Sequence, residues 1–296
     1  MKLLLPLVLM ASGLRAAEKP LETYAVYGHL IVTQFASAPF PHPSRAKGHT
    51  WKQNFFPADK HYSDSTVAIF IPKGYHPGEL VDFVVHFHGW GNHVSLVLDQ
   101  QRLIEQLVES KRNALLVVPQ GPRDASDSYG GKLEDPDGFK RFMDETMSTL
   151  RCQTGRAFGN SQMGNIILSG HSGGYHVIAS ILAQGGLTDH VREVWLFDAL
   201  YGQTEKYVNW FEHRPSRFVD LYTEQGGTKV ETEKLMADLK AQGTHFLAKP
   251  AVEATPQDLQ TNRLVFLFTD VPHPDVVQTH NLFRQFLETS CLVPIE

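Results

Sequence analysis

Residues 165–174 read Asn165-Ile166-Ile167-Leu168-Ser169-Gly170-His171-Ser172-Gly173-Gly174. The first half is an apolar run, rich in β-branched side chains, of the kind that fills a buried strand. The second half is Gly-x-Ser-x-Gly. Behind it Val177, Ile178, Ile181 and Leu182 recur at three- and four-residue spacing, which predicts a helix, and Gly185-Gly186 stops that helix. The order is therefore strand, sharp turn, helix. Such a turn holds the serine in a strained conformation with its hydroxyl lifted above the sheet edge, and flanking glycines let the neighbouring backbones approach. Five residues alone, four of them glycine or serine, also suit an ordinary solvated turn, so the flanking pattern carries the reading.

The same alternation extends outward in both directions. Upstream, Tyr27 to Gln34 and Thr66 to Ile71 are β-rich, separated by a loop of Pro, His and aromatic residues, Ala36 to Ser63, whose role the sequence leaves open. Val81 to Phe87 is a nearly unbroken apolar strand that leads into His88-Gly89-Trp90-Gly91-Asn92. The pattern then predicts a helix near Leu96 to Glu109, a strand Ala114 to Val118 and a helix Phe139 to Leu150. After the serine turn it predicts a strand Glu193 to Phe197, a short helix near Glu205 to Glu212 and a strand Arg217 to Tyr222. A helix Lys229 to Lys240, a strand Leu264 to Phe268 and a last helix to Leu287 complete the chain. Strands separated by helices require a mostly parallel sheet with helices on both faces.

Placed in this context, Gly-His-Ser-Gly-Gly resembles the nucleophile turn of the α/β-hydrolase superfamily, in the form found in lipases and esterases. The resemblance covers nearly the whole chain after its first residues. It implies an α/β-hydrolase fold and a serine nucleophile, Ser172, activated by a histidine that a carboxylate orients. In the family the histidine lies in the short loop between the last strand and the last helix, a place held here by His273. His280 is the rival, although its spacing with Val276, Phe283 and Leu287 puts it on the core-facing side of the predicted helix. For the acid, Asp198 ends the strand after the serine, as in thioesterase-type members. A charge directly after four apolar strand residues is costly to bury without a partner. Other members carry the acid one strand later, where this chain has Glu224 in a loop, with Asp220 inside the strand. The oxyanion of an ester intermediate needs backbone donors. The resemblance assigns these to Gly173 and, from the His88-Gly89-Trp90-Gly91 loop, to Trp90. The long loop Pro119 to Asp135 lies on the same edge, so Gln120, Asp127, Tyr129 and Lys132 are candidate substrate contacts. The connection Tyr201 to Pro215 is too short for a large helical lid.

A competing reading takes His86, His88 and His93 as metal ligands. No carboxylate or cysteine stands at ligand spacing beside them and no zinc signature is matched, so no metal and no cofactor are expected. The 296 residues carry a formal charge of −5, which argues against nucleic acid or an anionic membrane as the main partner. Lys2 followed by Leu3 to Met10 and small residues up to Ala16-Ala17 reads as a secretory signal peptide, residues 1–16, too short to span a bilayer. We therefore expect an exported, secreted or periplasmic chain whose remaining residues, 17–296, form one domain. In such a compartment Cys152 and Cys291 allow a single disulfide, with two ordinary buried thiols as the alternative. The expected function is hydrolysis of a small-molecule or polymer ester. A peptidase or amidase would use the same residues, and a binding protein would use the same fold without activity. Oligomeric state is not readable from the sequence.

Overall fold

The described residues, 21–295 of a computed structural model, form a nine-stranded sheet with helices on both faces. The strands are β1 (Gly28–Gln34), β2 (His49–Trp51), β3 (Asn54–Phe56), β4 (Thr66–Pro72), β5 (Leu80–Phe87), β6 (Leu115–Pro119), β7 (Gln162–His171), β8 (Val191–Phe197), β9 (Arg217–Thr223), β10 (Leu247–Pro250) and β11 (Leu264–Thr269). The helices are α1 (Ala58–His61), α2 (Val94–Gln100), α3 (Leu103–Ser110), α4 (Gly138–Thr154), α5 (Tyr175–Gln184), α6 (Thr204–Glu212), α7 (Lys229–Ala241), α8 (Pro256–Thr261) and α9 (Leu282–Glu288). The proposed signal segment, residues 1–16, and its cleavage site lie outside the described residues.

The apolar runs become central strands because successive side chains point to opposite faces, so each run supplies two cores at once. Phe83, Val85, Ile166, Leu168, Val194 and Leu196 pack with α4 through Phe139 and Phe142, with α5 through Ile178 and with α6 through Tyr207. Val84, Ile167, Trp195 and Phe197 pack on the other side with α2, α3 and α9 through Val97, Leu103 and Phe283. The sheet order is β1-β4-β6-β5-β7-β8-β9-β11-β10, with β1, β4 and β6 antiparallel in turn and the remaining pairs parallel. Parallel pairing brings the carboxyl ends of β5, β7, β8, β9 and β11 to one edge. His171 lies opposite Phe197, Phe197 opposite Leu221, and Thr223 opposite Thr269, so the loops leaving these strands start level. No large lid covers that edge among the described residues: the connection from β8 to β9 holds only the nine-residue α6.

Several elements differ from the sequence reading. The helix expected at 96–109 is two helices, broken where Arg102 takes a left-handed φ of 51°. The side chain of Gln106 caps the break by donating to the Gln101 carbonyl at 2.8 Å. The loop 36–63 contains the β2/β3 hairpin and α1, and β10 and α8 were not anticipated. The last helix begins only at Leu282, because His280 and Asn281 are left-handed (φ 57° and 53°). Helical spacing therefore does not apply to His280, which is exposed rather than core-facing. The expected disulfide is also corrected: Cys152 and Cys291 are both free and exposed. No described helix is long and apolar enough to cross a membrane.

Candidate active site

At the end of β7 the chain reverses direction through Ser172, whose φ of 53° is strained for a residue with a side chain. The turn immediately feeds α5. Its closeness requires two glycines: a Cβ on Gly174 would lie 2.5 Å from the Phe87 carbonyl oxygen, and one on Gly89 would lie 2.5 Å from Ser172 Cβ. Ser172 is thus pressed between the end of β7 and the loop that follows β5, with its side chain partly open to solvent.

Asp198, the first residue after β8, is also left-handed (φ 48°) and fully buried. A buried carboxylate must be satisfied on both oxygens. Its Oδ1 accepts from the Thr223 backbone N–H at 3.2 Å and from the Thr228 hydroxyl. Its Oδ2 accepts from the Thr223 hydroxyl at 2.8 Å and from His273 Nδ1 at 2.6 Å. Burial alone would raise the carboxyl pKa, yet the bonds from His273, Thr228 and Thr223 together hold it below the ordinary value. Asp198 is therefore ionised and locked to the histidine that follows β11. The imidazole of His273 is 30% exposed, so its other nitrogen remains accessible. Glu224 takes no part in this contact: it is exposed and pairs with Lys229 at 2.6 Å. Asp220 points into the core, bonded to Thr232 at 2.6 Å, and burial raises its pKa to about 7.

The loop after β5 is fixed by its own histidine. His88 Nδ1–H donates to the Gly89 carbonyl at 2.8 Å, and Nε2 accepts from the Gly121 N–H at 2.9 Å. Asn92 binds the Trp90 carbonyl at 3.0 Å and the Gly91 N–H donates to Ala125 at 3.0 Å, which orients the peptide at Trp90. The Trp90 indole lies over Gly173, where a Cβ would stand 2.8 Å from Cδ1, and its Nε1–H donates to Ser128 Oγ at 2.7 Å. The two residues assigned to the oxyanion are therefore neighbours beside Ser172. His86 pairs with Ser169 at 2.9 Å and His93 with Asp124 at 2.8 Å, so the three histidines of this strand and loop turn to separate partners. Among the described residues no group of three or more His, Cys, Asp or Glu side chains is arranged to hold a metal ion.

The long loop 119–135 holds the site together more than it lines it. Gln120 is fully buried, accepting from the Val94 N–H at 3.0 Å and reaching His88 at 3.0 Å, and Lys132 Nζ donates to the Ala36 carbonyl at 2.7 Å. Those bonds tie Gln120 and Lys132 to the scaffold. Asp127 forms a two-point ion pair with Arg45 at 2.6 and 3.1 Å, and the Tyr129 hydroxyl meets His42 at 3.1 Å. Asp127 and Tyr129 also bound a cavity of about 20 Å³ beside Gly173 and Gly174, room for about one water molecule. A larger hollow of about 660 Å³ lies away from this edge, between α6 and α7.

Four features were not anticipated. The Tyr201 hydroxyl donates to the Gly226 carbonyl at 2.6 Å. Burial, helped by the Asp198 charge, pushes it up to about 12. Its ring centroid lies 6.4 Å from that of His273, edge to face, so the tyrosine packs against that imidazole. His171 is buried, stacks on His273 with centroids 4.8 Å apart and donates from Nε2 to the His273 carbonyl at 2.9 Å. Burial lowers its pKa to about 4, so the ring is neutral. Thr223 and Thr228 hold the acid, and Ser128 holds Trp90. The only sequence signal for the threonines was their place at the end of β9 and in the loop after it.

No family model and no curated relative match the chain. Solved structures do. The feruloyl esterase module from Clostridium thermocellum, complexed with sinapinate, superposes with a TM-score of 0.55 at 11% identity, covering 89% of this chain and 88% of that one. A ferulic acid esterase gives 0.54 at 10% identity, over 88% and 97% of the two chains. FphF, a fluorophosphonate-binding serine hydrolase of Staphylococcus aureus, gives 0.51 at 11% identity over the same shares. At these identities the likeness is one of architecture, and it matches the sheet order and strand-end loops described above: the chain has the α/β-hydrolase fold.

Proposed function

We propose that this chain is a serine hydrolase that cleaves carboxylic esters. The observation that carries the reading is the 2.6 Å bond between fully buried Asp198 and His273, formed beside a serine held at positive φ. A buried carboxylate that fixes one imidazole nitrogen leaves the other free to act as a base. In this reading His273 Nε2 takes the Ser172 proton as Oγ bonds the acyl carbon, while the backbone N–H groups of Trp90 and Gly173 receive the negative charge on the carbonyl oxygen. The proton then passes to the leaving alcohol as the C–O bond breaks. Water repeats the sequence and releases the acid, so no cofactor is needed. The esterase and serine hydrolase neighbours favour the same class. We further propose that the chain is exported after removal of residues 1–16, which mass spectrometry of secreted material tests.

A fluorophosphonate probe tests the nucleophile directly. It should label the wild type at Ser172 and leave Ser172→Ala unlabelled, with turnover lowered on the order of 10⁶-fold. A folded wild-type protein that resists the probe, or a Ser172→Ala variant that keeps its activity, would sink the reading. A panel of esters beside matched amides then separates ester hydrolysis from peptidase or amidase action.

A further inference from the structure

Three aromatic side chains are exposed among the described residues, Trp51, Phe55 and Trp90, at 41%, 60% and 39%. The other exposed large apolar residues are aliphatic and scattered over distant elements: Val26, Val32, Leu80, Val230, Val252 and Val293. The aromatic three, by contrast, belong to the β2/β3 hairpin and to the loop that abuts Ser172. Solitary exposed apolar residues are ordinary, whereas clustered aromatic ones mark a place where something binds.

The geometry is that of a corner. The Trp51 and Trp90 rings stand 5.0 Å apart at 69°, edge to face. Trp90 is fixed by its bond to Ser128 and by its seat on Gly173. Lys52 Nζ stands 6.0 Å from the Trp51 ring centre, bringing a cation to the rim. The cavity beside Gly173 has about 20 Å³ and admits no ring. A ring carried by the substrate is excluded from that cavity, and the exposed indoles offer the aromatic surface next to Gly173.

We propose that Trp51 and Trp90 form a subsite for a six-membered ring that offers an apolar face and bears oxygen substituents, carried by the ester substrate. The inference rests on the ester-hydrolase reading. The ring stacks on an indole face and meets the edge of the other indole, while Lys52 supplies a charge for its hydroxyl or phenolate oxygen. An aryl group and the apolar face of a pyranose share this chemistry.

The test compares wild type, Trp51→Ala and Trp51→Phe on three substrates: methyl 4-hydroxycinnamate, an acetylated methyl glucoside and ring-free ethyl butyrate. In Trp51→Ala the preference for a ring-bearing ester over ethyl butyrate, as a ratio of kcat/KM values, should fall about five- to tenfold, and Trp51→Phe should recover most of it. A fall confined to the cinnamate identifies an aryl ligand, and one confined to the glucoside identifies a sugar. An unchanged ratio for both overturns the subsite. Fluorophosphonate labelling of the wild type reports separately on the serine mechanism. Should that labelling fail, titration of tryptophan fluorescence with 4-hydroxycinnamate and methyl glucoside still decides: quenching in wild type that is lost in Trp51→Ala supports the subsite, and no quenching by either ligand refutes it.

Discussion

Replacing Asp198 by asparagine changes one atom and should stop catalysis, for a reason visible in the bonds around it. The asparagine must turn its NH₂ toward one of two sets of donors. On the Oδ1 side stand the Thr223 backbone N–H and the Thr228 hydroxyl, and on the Oδ2 side the Thr223 hydroxyl and His273 Nδ1. Hydroxyls rotate and can accept, but a backbone N–H cannot. The amide oxygen therefore goes to the Thr223 N–H, and the NH₂ faces His273. Nδ1 of His273 must then accept, which places the ring proton on Nε2, and a protonated Nε2 cannot take the proton of Ser172. A triad locked in the wrong tautomer loses about 10⁴ in kcat, which at 1.36 kcal/mol per decade is about 5.4 kcal/mol of transition-state stabilisation. The assay is kcat/KM on a chromogenic acetate ester, with the rate of fluorophosphonate labelling and a thermal melt to show that the variant is folded. Glu224→Gln is the control. Its exposed pair with Lys229 contributes little, so activity should stay within about twofold of wild type. An Asp198→Asn enzyme within tenfold of wild type would refute the reasoning, as would a larger loss in Glu224→Gln.

Two further predictions follow from the buried histidines. His171→Phe keeps a ring against His273 but removes the N–H donated to the His273 carbonyl, so about 1 kcal/mol of positioning should go, or about fivefold in kcat/KM; wild-type kinetics would show that bond to be idle. The second concerns pH. Burial depresses His86 to about 3 and His88 and His171 to about 4, so on acidification the unfolded chain binds protons near pH 6.5 that the folded chain refuses. The stability these rings confer is complete above pH 6.5 and is lost as pH falls toward 4. Asp220, raised to about 7, works in the opposite sense by holding a proton when folded. Three protons less one leaves two, or on the order of 3 kcal/mol per pH unit near pH 5 from these four groups. The urea midpoint should drop between pH 6.5 and pH 4.5, and a flat or rising midpoint would contradict this account.

What the sequence could convey depended on how local the cause was. The central strands were legible because two-sided burial makes each a continuous apolar run, as in Val81 to Phe87. The turn at Ser172 was legible because close backbone approach demands glycine at fixed offsets. The acid's place at the end of β8 was readable because a charge ends an apolar run there, whereas Thr223 and Thr228 carried no mark of the carboxylate they bind. The break at Arg102 depends on the side chain of Gln106, and the start of α9 on the left-handed backbone of His280 and Asn281. Nothing local marked His171 as a support for His273, because its partner, the loop after β11, lies 102 residues away. Trp51 lay in a loop with no periodicity, and only the hairpin brings it to Trp90.

The anchoring of Asp198 bears on how this fold can be recombined. The carboxylate follows β8 directly, yet the hydroxyls that hold it come from 25 and 30 residues downstream, at the end of β9 and just past it. A chimera joined between 199 and 222 would inherit the acid from one parent and its cradle from the other. Every strand could pair correctly in such a hybrid while the carboxylate lost its orientation, so libraries built from this scaffold should treat residues 198–228 as one indivisible cassette.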